Sequence, residues 1–424
     1  MFDISFKRNR QLKILLIILL LLPFQLLGVV HISKIMYLPD FINMMTIIIS
    51  VVIIVLLRFK PIKIKKYAGA YYYWGILSII IWLCEIIYSY ILYSHYGQSL
   101  LSCVKASYSY CVIIVIYVLS YFLFRINDVH FLKNCIKAFG MLSSLFSIIQ
   151  VILYRYSIVV FDMADEAVRN GRLRYGIASN FLPLAFFITF SDFVEKRKRK
   201  DFFIIVLEAI ALLYAFQTRS LILYMVLTIL IVLLVFAKKI RTKLVLMFSL
   251  AIISVYAIGT DLTNPLVFEF SNDYGIEARF YAIIFYLKQF LEKPLFGMGS
   301  IRESSGNAYL KGLLHGSSGV FSGKLFRDDV GVIGLLNERG IIGIAWYLLL
   351  LLILFKECRI IAKSNISERI WVISIYIYIL ISSFNLLYVE NSRLVVCCFI
   401  CSLIHHYYLN TNKTLKYSNN INII

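Results

Sequence analysis

Apolar runs about twenty residues long recur along the whole chain, separated for the most part by short polar connections. They predict membrane helices near 12–30, 38–57, 73–93, 105–124, 131–154, 176–194, 202–217, 219–236, 244–258, 340–355, 370–388 and 393–409. Within these runs apolar and polar residues do not alternate, which excludes a closed barrel. The expected fold is therefore an all-α, polytopic integral membrane protein of about 12 transmembrane helices. Residues 1–258 hold the first nine, with a small polar loop at 155–175. Residues 259–339 form one large hydrophilic loop, and 340–424 hold the last three helices and a tail. The first run follows Lys7-Arg8-Asn9-Arg10 and has no small-residue cleavage site after it, so it reads as a retained anchor. Pro23 and Pro183 fall inside predicted spans and predict kinks there.

Inside the large loop, 277–291 predicts an amphipathic helix, with Phe280, Ile283, Ile284, Leu287, Phe290 and Leu291 at helical spacing. Such a helix lies along the membrane surface or caps the bundle. Pro294 stops it, and Gly297, Gly299 and Gly306 permit tight turns after it. Asp328 or Asp329 is placed to cap a further short helix through Val330, Ile333 and Leu336.

Composition agrees with this pattern. The 424 residues are 61% hydrophobic and 16% charged, too little polar surface for a soluble domain of this size. The net charge of +20 comes from basic clusters at Arg58–Lys66, Lys196–Lys200, Lys238–Lys243 and Lys356–Arg369, which fall on alternate connections. By the positive-inside rule that side is cytoplasmic, both termini face the cytoplasm, and the 259–339 loop is extracytoplasmic. Because the charge is spread over short loops it is a topology signal, and no nucleic-acid partner is expected. The large loop has no cysteine, and no Cys/His spacing suggests zinc. Cys397, Cys398 and Cys401 read as small packing residues in the last helix.

Arginines on the outer side run against the positive-inside rule and are the strongest chemical signal. Arg169, Arg172 and Arg174 crowd the smaller loop, Arg219 sits at a hairpin tip, and Arg279 begins the amphipathic helix. A guanidinium offers a permanent charge and a planar fork of donors matched to phosphate oxygens, so these arginines suggest a phosphate or diphosphate ligand. Arg169 is better read as pairing with one of Asp162, Asp165, Glu166 or Glu277. The candidate proton-transfer groups are His315 and the Asp328-Asp329 pair. A solvated loop histidine and a helix cap are the plain alternatives. Glu85 and Glu208 are isolated acids inside spans: each is functional, or holds an arginine or hydroxyl in the bundle. The tyrosines at 71–73 read as interfacial anchors.

Three stretches together resemble the superfamily of O-antigen and capsular polysaccharide polymerases (Wzy-type) and O-antigen ligases. They are Gly171-Arg-Leu-Arg-Tyr-Gly-Ile-Ala-Ser-Asn180; Thr218-Arg219-Ser220; and the series from Arg279-Phe-Tyr through Pro294-Leu-Phe-Gly-Met-Gly to Asn337-Glu-Arg-Gly-Ile-Ile-Gly343. The resemblance covers roughly 169–345. It implies a metal-independent glycosyl transfer without cofactor, on the outer face of the bacterial cytoplasmic membrane. A glycan carried on undecaprenyl diphosphate would pass to a hydroxyl of another glycan, releasing the lipid diphosphate. Arg172, Arg174, Arg219 and Arg279 would hold the diphosphate, and Asp329 or His315 would be the base. Ligases carry a histidine about a dozen residues before the final Gly-Ile-Ile-Gly, where this chain has Asp328-Asp329. That favours a polymerase of lipopolysaccharide O-antigen, capsule or exopolysaccharide over a ligase. The family also implies membrane lipid, a chain-length regulator and a flippase as partners. A lipid-linked oligosaccharide flippase is the rival from another class; it needs a charged path between helices, whereas here the unusual charges gather on one face.

Overall fold

A computed structural model describes residues 2–28, 38–56, 61–126, 128–161, 168–169, 172–173, 175–216, 218–236, 274–302, 306–316, 325–364, 368–390 and 393–421. The helices are α1 (Phe2–Leu21), α2 (Leu38–Leu56), α3 (Pro61–Ala68), α4 (Ala70–Tyr93), α5 (Leu100–Ser107), α6 (Ile114–Ile126), α7 (Val129–Tyr154), α8 (Leu182–Lys196), α9 (Arg199–Ile210) and α10 (Arg219–Phe236). They continue with α11 (Tyr274–Glu292), α12 (Ala308–His315), α13 (Val332–Ser364), α14 (Arg369–Ser382) and α15 (Leu394–Ile421). The strands described are one antiparallel pair, Val168–Arg169 with Arg172–Leu173.

Five helical segments are long and apolar enough to cross a membrane: Ala70–Tyr96, Leu100–Ile126, His130–Tyr154, Val332–Ser364 and Leu394–Asn412. Asp40–Leu56, Ser220–Phe236 and Arg369–Ser382 are shorter apolar helices. The protein is thus helical and built for a membrane. The predicted span 244–258 lies outside the described residues.

Three predicted spans are shorter than the apolar pattern suggested. α1 ends at Leu21, not near 30, and 22–28 is turn and 3-10 helix. Pro23 has no N–H to continue the ladder, so it closes this helix where a kink was expected. α8 begins at Leu182 with Pro183 in its first turn, where the missing N–H costs nothing, so this proline also marks an end. α14 stops at Ser382, and 383–385 form a turn.

Packing explains which helices are central. α6 is buried on nearly every face, from Val115 to Leu123, and α15 likewise from Leu394 to Ile404. The two helices pack against each other at the centre of the main apolar core. α4 instead turns Ile80, Leu83, Ile87 and Ile91 outward. In water such a face would be a costly exposed patch, whereas in lipid it is the expected surface.

Ion pairs tie one end of the bundle together. Lys133 bonds Glu368 at 2.8 Å, and Lys137 bonds Asp192 at 2.8 Å and Asp201 at 2.6 Å, joining α7 to α8, α9 and the start of α14. Nearby, Glu357 accepts from Tyr71 at 3.1 Å and pairs with His405 Nδ1 at 2.6 Å. Tyr71 is therefore a fully buried polar anchor, not the interfacial tyrosine expected; Tyr73, half exposed, fits that expectation.

Candidate functional site at the opposite end of the bundle

Pro294–Ser300 and Asn337–Gly343, two motifs separated by nearly forty residues, are joined backbone to backbone. Met298 N donates to Asn337 O at 2.7 Å and Gly299 N to Glu338 O at 2.8 Å. In return Ile341 N donates to Pro294 O at 2.9 Å and Ile342 N to Leu295 O at 3.4 Å. Glycine is required at the crossing: Gly297 and Gly340 both have positive φ, and a Cβ on either would lie 2.4–2.5 Å from the opposing carbonyl oxygen. Gly340 has φ 62°, ψ −154°, so α13 is broken there and its first turns point away from the remainder.

The loop is also gripped from α4 and the segment after it. Tyr88 donates to Gly297 O, Tyr93 to Met298 O at 2.7 Å, and Gln98 to Ser300 O at 2.9 Å, while Ser300 N donates to Ser89 Oγ at 2.9 Å. These contacts satisfy backbone groups that a buried loop would otherwise leave unpaired.

Beneath the crossing lies a buried charge network. Arg339 Nε is 2.9 Å from Glu85 Oε2, and both side chains are almost wholly buried. The Arg339 guanidinium stacks on Tyr110, 3.3 Å from the ring centroid. Ser300 Oγ bonds Glu85 closely and reaches Glu338 at 3.3 Å, and Glu338 pairs with Arg327 at 3.4 Å. Glu85 thus holds both an arginine and a hydroxyl, the structural role weighed for it. Glu208 does neither: both its oxygens are buried without a hydrogen-bond partner among the described residues.

The three stretches of the resemblance meet at this end. Tyr175 N donates to Ala215 O at 2.9 Å, and Gly176 leaves the room that the Phe216 ring occupies, so the first stretch lies beside the chain leading to Arg219. Tyr388 donates to Asn180 O at 3.2 Å, bringing in the α14–α15 connection. Tyr224, just over one turn past Arg219, is hydrogen-bonded to Asn385 and lies within electrostatic reach of Arg279. Val332 N donates to Ser383 O at 2.8 Å, and Gly331 fits directly against residues 383–385.

Arg279 lies on α11, whose extent, 274–292, slightly exceeds the expected 277–291. The face turned inward carries Arg279, Ala282, Tyr286 and Gln289, while Phe280, Ile284 and Leu291 of the apolar stripe are exposed. The helix therefore caps the bundle with its aromatic-polar face and presents its apolar side outward. Arg279 Nε is buried with no hydrogen-bond partner among the described residues. Arg174 lies outside the described residues, and of Arg172 and Arg219 the backbone alone is described. Of the residues proposed to pair with Arg169, 162, 165 and 166 lie outside them as well, and of Glu277 the backbone alone is described.

Asp328 and Asp329 are exposed within a 3-10 turn, Arg327–Val330. Neither caps a helix: the position before the turn is Phe326, without a side-chain cap, and α13 begins after Gly331. The expectation of a capping aspartate fails because the positive-φ glycine separates the turn from the helix. Although its side chain is solvent-accessible, the protein packed densely around Asp328 disfavours the charged carboxylate and raises its pKa above the usual range; Glu338 and Asp329 add to this, and Arg327 and Arg393 oppose it. Glu390, ion-paired with Arg393, is likewise raised well above the carboxylate range by burial, with Asp328 and Asp329 contributing. His315 is the last residue of α12, not a loop histidine; its Nδ1 is 3.3 Å from Leu325 O and its ring lies edge-on to Phe326. Tyr286 Oη bonds both Leu314 O and Leu325 O, so one side chain holds His315 and the aspartate turn in relation to each other.

Arg327, Glu338, Arg339, Glu390 and Arg393 were not singled out from the sequence. Their signal was available: each is charged, and all but Arg327, which lies within the large loop, stand at or just outside a predicted span end. Among the described residues no group of His, Cys, Asp and Glu is arranged to hold a metal ion. The chain matches no family model, and no curated protein matches it.

Proposed function

We propose that the protein is a polymerase of undecaprenyl-diphosphate-linked oligosaccharide repeat units, working on the outer face of the bacterial cytoplasmic membrane. In this reading the chain crosses about twelve times with both termini cytoplasmic, and the end carrying Arg279 and Asp328-Asp329 is extracytoplasmic. The observation that carries the proposal is the convergence at one end of the bundle of three stretches, about 170 to 343, that resemble the polymerase family.

The reaction needs three things there. A hydroxyl of the acceptor glycan attacks the anomeric carbon of the donor, and the bond from that carbon to the diphosphate oxygen breaks. The hydroxyl proton passes to Asp329 or His315, and undecaprenyl diphosphate leaves. Arg279, whose buried Nε has neither a hydrogen bond nor an ion pair among the described residues, is the arginine assigned to meet the departing charge, with Arg172, Arg174 and Arg219 completing the clamp. A preorganised donor on a developing negative charge is worth about 10²–10³ in rate. The arginines of the Glu85–Arg339 and Arg327–Glu338 pairs are already matched by carboxylates, and serve to hold the crossing.

The test is polymer length in cells carrying Arg279→Ala or Arg279→Lys. Both are expected to accumulate in the membrane yet lose polymer, because lysine keeps the charge without the fork. Polymer of normal length from Arg279→Ala would overturn the clamp.

A further inference from the structure

The end of α13 remote from the candidate site carries a second feature that catalysis does not use. Along its last turns Leu352, Phe355, Lys356, Arg359 and Lys363 are exposed, while Leu354, Glu357, Cys358, Ile361 and Ala362 face inward. Phe355, Lys356, Arg359, Ile360 and Lys363 line a groove of about 300 Å³. Phe355 packs against Tyr376 of α14, ring centroids 5.7 Å apart, which fixes the ring at the groove's apolar end. Among the described residues no ion pair reaches Lys356, Arg359 or Lys363. The nearby acids are engaged elsewhere: Glu357 with His405 and Tyr71, Glu368 with Lys133.

The position along the helix says what the groove meets. From the break at Gly340 to Arg359 the helix rises roughly 29 Å, close to the thickness of a bilayer's hydrocarbon core. Leu348, Leu349, Leu352 and Phe355 form an exposed apolar band leading up to the cations. Lys and Arg at such a boundary extend their stems along apolar surface and place their charges among headgroups. The spacing of Lys356, Arg359 and Lys363 puts all three on one helix face, about 10 Å from first to last.

We propose that this groove is a binding site for an anionic glycerophospholipid, its phosphate held by Lys356, Arg359 and Lys363 and its acyl chains lying along Leu352 and Phe355. The site is on the membrane face opposite the candidate catalytic end and does not depend on the reaction assigned there.

The experiment uses the purified full-length chain in mixed micelles containing equal amounts of phosphatidylglycerol and phosphatidylcholine, with retained lipid counted by native mass spectrometry. The unchanged protein is expected to retain phosphatidylglycerol in preference. Each cation removed should weaken that preference about fivefold, and Lys356→Gln, Arg359→Gln and Lys363→Gln together roughly a hundredfold. The charge-conserving set Lys356→Arg, Arg359→Lys and Lys363→Arg should retain it, which separates loss of the site from loss of the fold. A control replaces Lys198, Arg199 and Lys200, exposed at the start of α9, by glutamine and should leave the preference intact. No preference in the unchanged protein, or an equal loss in the control, would overturn the proposal, the latter by showing a diffuse basic field rather than a site.

Discussion

Gly340→Ala tests the backbone crossing most sharply. At φ 62°, ψ −154° an alanine enters a region essentially reserved for glycine, costing about 1–3 kcal/mol. Its Cβ would lie 2.4 Å from Leu295 O and 2.5 Å from Pro294 O, and backbone cannot swing aside as a side-chain tip can. Relief requires the 294–295 segment to retreat, which breaks the bonds from Ile341 N and Ile342 N. Two hydrogen bonds add about 1–3 kcal/mol, for a total of roughly 2–6 kcal/mol. The control is Gly312→Ala: that helical glycine has open space where a Cβ would go, and alanine is the better helix former by about 1 kcal/mol. The assay is the apparent thermal midpoint of the purified protein in detergent, beside polymer length in cells. Gly340→Ala should lower the midpoint by several degrees and abolish polymer; Gly312→Ala should do neither. If Gly340→Ala unfolds at the same temperature as the unchanged protein, the crossing as described is wrong.

The remaining predictions concern the charges around it. Removing one partner of the buried Glu85–Arg339 pair, as in Arg339→Met, should cost about 3–5 kcal/mol, whereas Glu85→Leu with Arg339→Met should recover most of it; additive losses in detergent unfolding would deny the coupling. Asp328 has a folded pKa above its unfolded value of about 4, so its contribution to stability is present below that pH and is lost as pH rises through the folded value. Asp328→Asn should therefore gain midpoint over the unchanged protein increasingly from about pH 4 towards neutrality, and a gap independent of pH would contradict the desolvation of this carboxylate and its crowding by Glu338 and Asp329. Of Asp329→Asn and His315→Ala, measured for polymer in cells, one should lose activity far more than the other; equal, mild losses would remove both as base.

Much of the fold could be read from sequence because a run of twenty apolar residues permits few structures other than a membrane helix. The pattern reads hydrophobicity, however, and not backbone hydrogen bonding. It therefore carried the helices through Pro23, past Ser382 and into 176–181, where turns are just as apolar. The site was readable as pieces. Gly297 and Gly299 signalled tight turns, but that they dock on 337–340 depends on contacts between distant segments that no local pattern encodes. The same holds for Glu85, whose partner Arg339 is some 250 residues away, and for Tyr71, which reads as interfacial from its place near a span end because its buried bond to Glu357 spans nearly 290 residues. The apolar stripe of 277–291 is legible in the sequence, but which face turns inward is not: that face is set by Tyr286 and Gln289, which find hydrogen-bond partners in the neighbouring segments.

The most direct measurement for the central claim is the length of undecaprenyl-linked glycan on the outer face of the cytoplasmic membrane in a strain lacking this gene. A polymerase predicts single repeat units stranded there, delivered but not joined. Full-length polymer on that lipid would contradict the account and place the protein at a later transfer step, as a ligase.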